Sequence, residues 1–369
     1  MFRKLLIISF FMTLFTAAWC QGVLEKARNA DCRGLIDLAE DYYRQAADTS
    51  AEARLWLGLL LEGKEHFAEA SLWLARADTT ALSMTHLAVC HAEQRHWLDA
   101  KRAAEKSIEL ASENDSALRS SAMATLGLVH CMDRNYTNAL TWVNRALDQD
   151  RNSARALNVK GIIHFYRGND NDAVKAFRQA TQADPKNIDA HFNLGTMYCY
   201  RNNHDLAIST LKKGLRVERG SIKLIYCLGW AYLLKGENEN AIECLEEVIK
   251  RDSSYVNAYN RLGDIYFDRA EYNRAIAYYR TAIRIDPKSS EAYRQMGRTY
   301  AEQGEMGKAL RSYQKATELN KSDADTYCRL AELYEKQKQP KKVRNYYLKA
   351  AKLGHLGAQK WCTERAIAY

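Results

Sequence analysis

The chain has 369 residues, is 47% hydrophobic, contains three prolines and carries a formal net charge of +9. This apolar content excludes a largely disordered chain, and a mild charge without a basic run gives no sign of nucleic-acid binding. We therefore expect a packed, mostly helical protein.

The amino terminus, residues 1–20, is predicted to be a secretory signal. Arg3 and Lys4 precede an apolar stretch of 14 residues, whereas a membrane span needs roughly 20. The small residues Ala18 and Cys20 favour cleavage after Cys20, which would lower the net charge from +9 to +7. A lipidated Cys20 and an uncleaved anchor are the alternatives. The signal predicts export to a bacterial periplasm or cell envelope, or to the secretory-pathway lumen if the source is eukaryotic.

A 34-residue period organises the rest of the chain. Small residues recur at this step as Gly127, Gly161, Gly195, Gly229, Gly263, Gly297 and Ala331, and again as Ala139, Ala173, Ala207, Ala241, Ala275 and Ala309. With Ile222 as position 1 of a repeat, they occupy positions 8 and 20. Apolar residues share one face of a first helix and one face of a second, so each repeat is a predicted helix pair whose small residues allow close approach. Gly236 marks the turn near position 15.

In chain order, residues 22–47 are predicted to form a degenerate first helix pair. Repeats then begin at Ala51 and Ala81, and a longer loop is expected within residues 111–121, which are rich in Ser, Asn and Asp. From Ser120 the 34-residue step is unbroken. Residues 356–369 are expected to form a terminal helix that covers the last apolar face.

Two repeats carry the clearest pattern, namely Leu194–Gly195, Tyr198, Ala207 and Leu211, and Leu262–Gly263, Tyr266, Ala275, Tyr279, Ala282 and Pro287. This pattern resembles the tetratricopeptide repeat family over essentially all of the chain after the signal. The resemblance implies an all-α fold, a right-handed α-solenoid of about nine to ten antiparallel helix pairs over residues 21–355, with a C-terminal capping helix at 356–369.

In that family the first helices of successive pairs line a concave groove that takes a peptide or protein segment. The resemblance implies that positions 2, 5, 9, 12 and 13 face such a groove here. Aromatic residues beside arginine are typical of binding hot spots, and asparagine amides can pair with a peptide backbone. The candidate contacts are Asn158, Phe165, Tyr166, Phe192, Tyr200, Tyr226, Trp230, Asn260, Asp264, Phe267, Arg294 and Arg298.

There are two other interpretations of this surface, of which the first stays open and the second is disfavoured. The first interpretation is that several of the aromatics pack internally against the neighbouring repeat. Some family members hold a terminal carboxylate with Lys, Asn and Arg at set positions. Here Arg294 and Arg298 are the only basic residues at those positions, so this mode is not predicted.

Catalytic motifs are absent from the sequence: it has no GxGxxG, Walker loop, HExxH or GxSxG. His86 and Cys90 lie one helical turn apart and could chelate a metal. His91, His130 and His164 occupy position 11, where later repeats have tyrosine, which favours a structural role. We therefore predict no catalytic residue, cofactor, metal or small-molecule substrate. Membrane contact is expected to be only indirect or through an uncleaved or lipidated amino terminus.

Three functions follow in order of preference. The first is a non-enzymatic scaffold that binds a peptide or protein segment in the groove, in the cell envelope. The second is a structural subunit of an envelope complex that assembles through the edges and ends of the solenoid. The third is a carrier or enzyme accessory with a metal at the histidine-rich amino-terminal repeats.

Overall fold

The computed structural model describes residues 21–368, so the predicted signal at residues 1–20 lies outside the described part. These residues form α-helices joined by short turns, and no strand occurs among them. They fall into two compact units, an N-terminal unit that ends at Met197 and a C-terminal unit that begins at Tyr198. None of the helices within residues 21–368 combines the length and the hydrophobicity that crossing a bilayer requires.

The helices of the N-terminal unit pack as successive antiparallel pairs. Their bounds are α1 (21–32), α2 (Ile36–Ala47), α3 (Ala51–Gly63), α4 (Phe67–Arg76), α5 (Ala81–Glu93), α6 (Trp97–Leu110), α7 (Ser116–Met132), α8 (Tyr136–Gln149), α9 (Ala154–Tyr166) and α10 (Asp170–Ala183).

The unit boundary falls within α11, and the same pairing continues in the C-terminal unit. The bounds there are α11 (Ile188–Tyr200), α12 (His204–Val217), α13 (Ile222–Lys235), α14 (Asn238–Arg251), α15 (Val256–Asp268), α16 (Tyr272–Ile285), α17 (Ser290–Glu302), α18 (Met306–Leu319), α19 (Ala324–Lys336), α20 (Pro340–Lys352) and α21 (Leu356–Glu364).

Each helix pair closes around the small residue at position 8. A Cβ atom on Gly263 would lie 2.4 Å from the Tyr279 ring, and one on Gly161 would lie 2.5 Å from the Phe177 ring. In both pairs the intruding ring comes from position 24, on the second helix of the same repeat. Because real Cβ atoms do not approach so closely, the glycine sets the interhelical distance. This confirms the prediction that small residues allow the two helices to meet.

The turn inside each pair reverses the chain at position 15, as the sequence indicates. Gly236 there has a φ of 83°, and the next amide, that of Glu237, donates to the Tyr232 carbonyl at 2.9 Å. A left-handed glycine followed by this backbone hydrogen bond is a common C-terminal cap of a helix. Ala270 takes the same place with a φ of 59°, at a cost of roughly 1 kcal/mol relative to glycine.

The expected loop at 111–121 is only partly correct. Only residues 111–115 are non-helical, and α7 begins at Ser116 and runs for 17 residues instead of the usual 13. The Asp115 carboxylate accepts from the Ser112 amide at 2.9 Å and from its hydroxyl at 2.8 Å. The longer segment before this repeat therefore mostly extends the helix: Ser112, Asn114 and Asp115 lie in the turn, whereas Ser116, Ser120 and Ser121 are helical.

The terminal helix α21 packs against α20. Ala358 and Cys362 on α21 are fully buried, and the Trp361 ring stacks on Tyr347 of α20 with 4.4 Å between ring centroids. The His355 side chain accepts from the Ala358 amide at 3.0 Å and begins the helix. The apolar side of α20 is thus covered, but the helix is shorter than the predicted 356–369, since it ends at Glu364.

Candidate protein-binding surface

Four of the twelve predicted contact residues lie in the N-terminal unit. Asn158 on α9 is buried, and its side-chain oxygen accepts from Asn193 on α11 at 2.9 Å. Phe165 and Tyr166, at the end of α9, are exposed and meet edge to face with 5.6 Å between centroids. Phe192 is half-buried. Asn158 is therefore committed to joining two first helices, whereas the two aromatics of α9 remain accessible.

The other eight residues lie in the C-terminal unit, where first helices are also joined by polar pairs. Tyr226 on α13 packs its ring against Tyr255, 5.1 Å between centroids, and its hydroxyl pairs with the guanidinium of Arg261 on α15. Tyr226 occupies position 5 and Arg261 position 6 of the next repeat. Asn158 and Asn193 also occupy position 5 of one repeat and position 6 of the next. Both pairs therefore make the same contact between successive first helices.

Asp264 is the centre of the polar contacts between α15, α16 and α17. Its Oδ1 accepts from the Tyr279 hydroxyl at 2.8 Å and from the Gln295 amide at 3.1 Å, and its Oδ2 lies 3.4 Å from an Arg261 nitrogen. Burial raises the pKa of Asp264 above its ordinary value of 3.8, against the opposing effects of the Tyr279 hydrogen bond and the Arg261 charge. These contacts give the Asp264 carboxylate a structural role.

Replacing Asp264 by asparagine should therefore alter how stability depends on pH. Because the folded pKa is raised, the unfolded chain loses its proton first, and wild type loses stability relative to D264N as the pH rises from about 4 through the folded pKa. Above that pKa the difference is constant. Asparagine keeps an oxygen for Tyr279 and Gln295, whereas D264A leaves Tyr279 unpaired and should cost about 1–3 kcal/mol.

Urea unfolding of the three proteins between pH 4 and pH 7.5, followed by circular dichroism, measures these differences. A difference between wild type and D264N that does not change with pH would contradict the assigned burial of the charge.

Two more predicted contact residues are not free at the surface, because Arg294 is ion-paired and Asn260 is buried. Arg294 pairs with Glu291 at 2.6 Å and lies 3.7 Å from the Asp323 carboxylate. Asn260 is buried, and its side-chain oxygen has no hydrogen-bond partner among residues 21–368. Gln295 is at position 6 of the next repeat, the position from which Asn193 and Arg261 contact position 5 of the preceding repeat. Its amide donates to Asp264 rather than to Asn260.

The remaining four residues form what we call the aromatic–cation surface: Tyr200, Trp230, Phe267 and Arg298. The Tyr200 ring is 61% exposed and meets Trp230 edge to face, with 5.3 Å between centroids. The Arg298 guanidinium lies 4.0 Å from the centre of the Phe267 ring. Arg298 is exposed and forms no salt bridge with any residue in the described range. This surface thus offers one exposed ring, two half-buried rings and an exposed arginine that has no salt bridge within the described residues.

Sequence reasoning missed the position-6 residues that join the first helices. Asn193, Arg261 and Gln295 all contact a residue of the preceding repeat. Their signal was polar side chains recurring at position 6 of the repeats that begin at Ile188, Val256 and Ser290, next to apolar position 7.

Family profiles match the region in which the repeat is most regular. A profile described as TPR repeat matches residues 161–198, 229–268, 263–304 and 297–338, and one described as tetratricopeptide repeat matches residues 324–353. The crystal structure of MamA is 30% identical and covers 45% of this chain and 96% of MamA, with a TM-score of 0.40. The chain belongs to the tetratricopeptide repeat (TPR) family.

Two other solved structures resemble this TPR chain in fold alone. The Cut9–Hcn1 hetero-tetramer of the APC/C is 13% identical, with 96% of this chain and 97% of that chain covered and a TM-score of 0.51. A TPR protein from Parabacteroides merdae is 16% identical, with coverages of 69% and 98% and a TM-score of 0.51. A search of curated protein sequences finds no match. TPR folds are generally non-catalytic scaffolds for protein interaction, and this chain has that fold.

Proposed function

We propose that the chain is a non-enzymatic scaffold that binds a protein segment on the aromatic–cation surface. The observation that carries the proposal is Arg298, whose exposed guanidinium is stacked on Phe267 and lacks an ion-pair partner in the described chain. An arginine held this way is pre-oriented for a carboxylate, since the stack restricts its rotamers before binding.

The partner segment should carry an apolar or aromatic side chain as well as an acidic group. Tyr200 exposes most of its ring while Trp230 supports one edge, so an incoming side chain would bury area on a ring that is already ordered. Aromatic residues and arginine dominate binding hot spots for this reason. Asn158, Asp264 and Arg294 are left out of the proposed contact set because they already pair within the fold.

The proposed location is the cell envelope, and it rests on the amino-terminal signal in the sequence. Arg3 and Lys4 before a short apolar stretch support export, and the partner would then be an exported or envelope protein. The secretory-pathway lumen is the corresponding place in a eukaryote.

A comparison of two double variants tests the function. Y200A/R298A removes one exposed ring and the unneutralised cation, whereas L206A/R216A removes an exposed apolar residue and an exposed arginine from the second helix α12. All four side chains are exposed, so we expect both variants to keep wild-type helicity. If each hot-spot truncation costs about 2 kcal/mol and the two costs add, Y200A/R298A should bind roughly 1,000-fold more weakly.

Affinity capture from a native envelope extract identifies the partner, and titration of the purified partner against the three baits measures the affinities. Binding by wild type should also weaken with added salt, because a solvent-exposed charge pair is screened. Equal affinity of Y200A/R298A and wild type would reject the surface and favour assembly through the edges and ends of the helix stack.

A further inference from the structure

Three metal-ligating side chains meet at the turn between α5 and α6. His91, His96 and Asp99 each offer one ligand atom, and these atoms all lie within 4.8 Å of one another. The two imidazole rings are 6.1 Å apart between centroids and are tilted by 43°. His91 is half-buried, while His96 and Asp99 are exposed.

The backbone of the turn brings these residues together. Arg95 adopts the left-handed conformation with a φ of 61°, and the His96 amide donates to the His91 carbonyl at 2.8 Å. This bond closes the end of α5 and places the first turn of α6, with Asp99, beside His91. The His96 side chain makes no hydrogen bond to the start of α6, so the helix does not use its imidazole as a cap.

The side chains are also left without strong partners inside the protein. His91 Nδ1 is buried and has no hydrogen-bond partner among the described residues, a state that costs about 1–3 kcal/mol. The Asp99 carboxylate lies 3.9 Å from an Arg102 nitrogen, and both side chains are more than half exposed, so the pair contributes little. A bound cation would supply the partner that this turn lacks.

We propose that His91, His96 and Asp99 bind a divalent first-row transition-metal ion, with Zn²⁺ as the probe. Two imidazole nitrogens and one carboxylate oxygen suit Zn²⁺ and its neighbours, whereas Mg²⁺ and Ca²⁺ require oxygen ligands. The donor atoms need to approach one ion at about 2.0–2.2 Å. Small rotations achieve this because two of the three side chains are exposed. At least one coordination position stays open for water or for a partner's ligand.

The repeats contain their own controls for this site. The repeat that begins at Ala154 has the same turn, since the Asn169 amide donates to the His164 carbonyl at 2.9 Å after a left-handed Gly168. Asp172 stands where Asp99 does, so this repeat lacks only the second imidazole. His164 Nδ1 is likewise buried without a partner.

The test is Zn²⁺ binding by the untagged full chain, measured by competition with a chromogenic chelator. Wild type should bind one Zn²⁺ per chain at this site. H96N copies the residue found at the same position in the Ala154 repeat, so it should fold normally. It should weaken binding by more than about 100-fold, because losing a ligand costs more than the roughly 10–100-fold typical of losing an outer-shell partner. N169H should create a second site and raise the stoichiometry to two.

Co²⁺ substitution gives a readout that reports the ligands directly. The visible absorption of bound Co²⁺ should be lost in H96N and should carry no thiolate-to-metal band, because no cysteine takes part. Unchanged Zn²⁺ affinity in H96N, a stoichiometry of one in N169H, or a thiolate band for wild type would each overturn the proposal. Circular dichroism of every variant verifies that helicity is retained.

Discussion

Replacing Gly263 by alanine is expected to destabilise the protein by about 2–3 kcal/mol, at the upper end of the range for overpacked cores. The new Cβ would lie 2.4 Å from the Tyr279 ring. That ring cannot move aside easily, because Tyr279 is 1% exposed and its hydroxyl donates to Asp264 at 2.8 Å. The helices α15 and α16 must therefore move apart. This movement also disrupts the contacts that Asp264 makes with α17.

Gly307 is the matched control for this substitution. It also lies in a helix, but a Cβ atom there meets nothing within 4 Å. G307A should leave the packing intact and stabilise the protein by about 0.5 kcal/mol through the smaller entropy of the unfolded chain. Urea unfolding followed by circular dichroism measures both changes, and hydrogen exchange should locate the G263A effect in α15–α17. Equal midpoints for G263A and G307A would show that the helices do not need glycine at position 8.

Replacing Trp361 by alanine should detach the terminal helix and cost about 2–3 kcal/mol. The value lies below the 3–5 kcal/mol expected for a fully buried tryptophan because Trp361 is half-buried. The change removes the stack with Tyr347 at 4.4 Å and the cation–π contact with Arg365 at 4.4 Å. It also exposes the apolar side of α20, which a terminal helix must cover in a stacked-repeat protein.

Two further variants separate packing from a general effect of mutating α21. Leu356 is 81% exposed, so L356A should change stability by less than about 0.5 kcal/mol. W361F should recover most of the loss, because a ring remains to stack on Tyr347 and the indole nitrogen that it removes has no hydrogen-bond partner in the described chain. Hydrogen exchange in α20 and α21 reports the fraying. A loss as large in L356A as in W361A would contradict the packing explanation.

The fold was predictable because its determinants are local and repeat along the chain. Helix periodicity, the small residue at position 8 and the turn at position 15 each act within one repeat, so the spacing of Gly263, Ala275 and their equivalents defines a helix pair. The longer segment at residues 111–121, within which α7 begins, shows where local sequence signals fail to predict the structure. A Ser- and Asp-rich segment can end in a loop or start a helix, and the neighbouring helices decide which.

The candidate surface was only partly predictable, because the sequence does not show which groove-position side chains are already paired. Phe165, Tyr166 and Tyr200 are exposed at the predicted positions. Asn158 and Asp264 also lie at predicted groove positions, 5 and 9, but their polar groups contact Asn193 and Gln295, which lie about one repeat away along the chain. Whether the exposed residues bind a partner stays a prediction, as does export.

The sequence by itself determined the family, the helix pairs and the places of their turns, because these depend on spacings within 34 residues. Only the tertiary structure decided which side chains are free to act. It paired Asp264 with Tyr279 and Gln295, left Arg298 stacked on Phe267 without a carboxylate, and gathered His91, His96 and Asp99 at one turn. The physical reason is that pairing depends on distances and directions between side chains of neighbouring helices, which residue type and spacing do not specify.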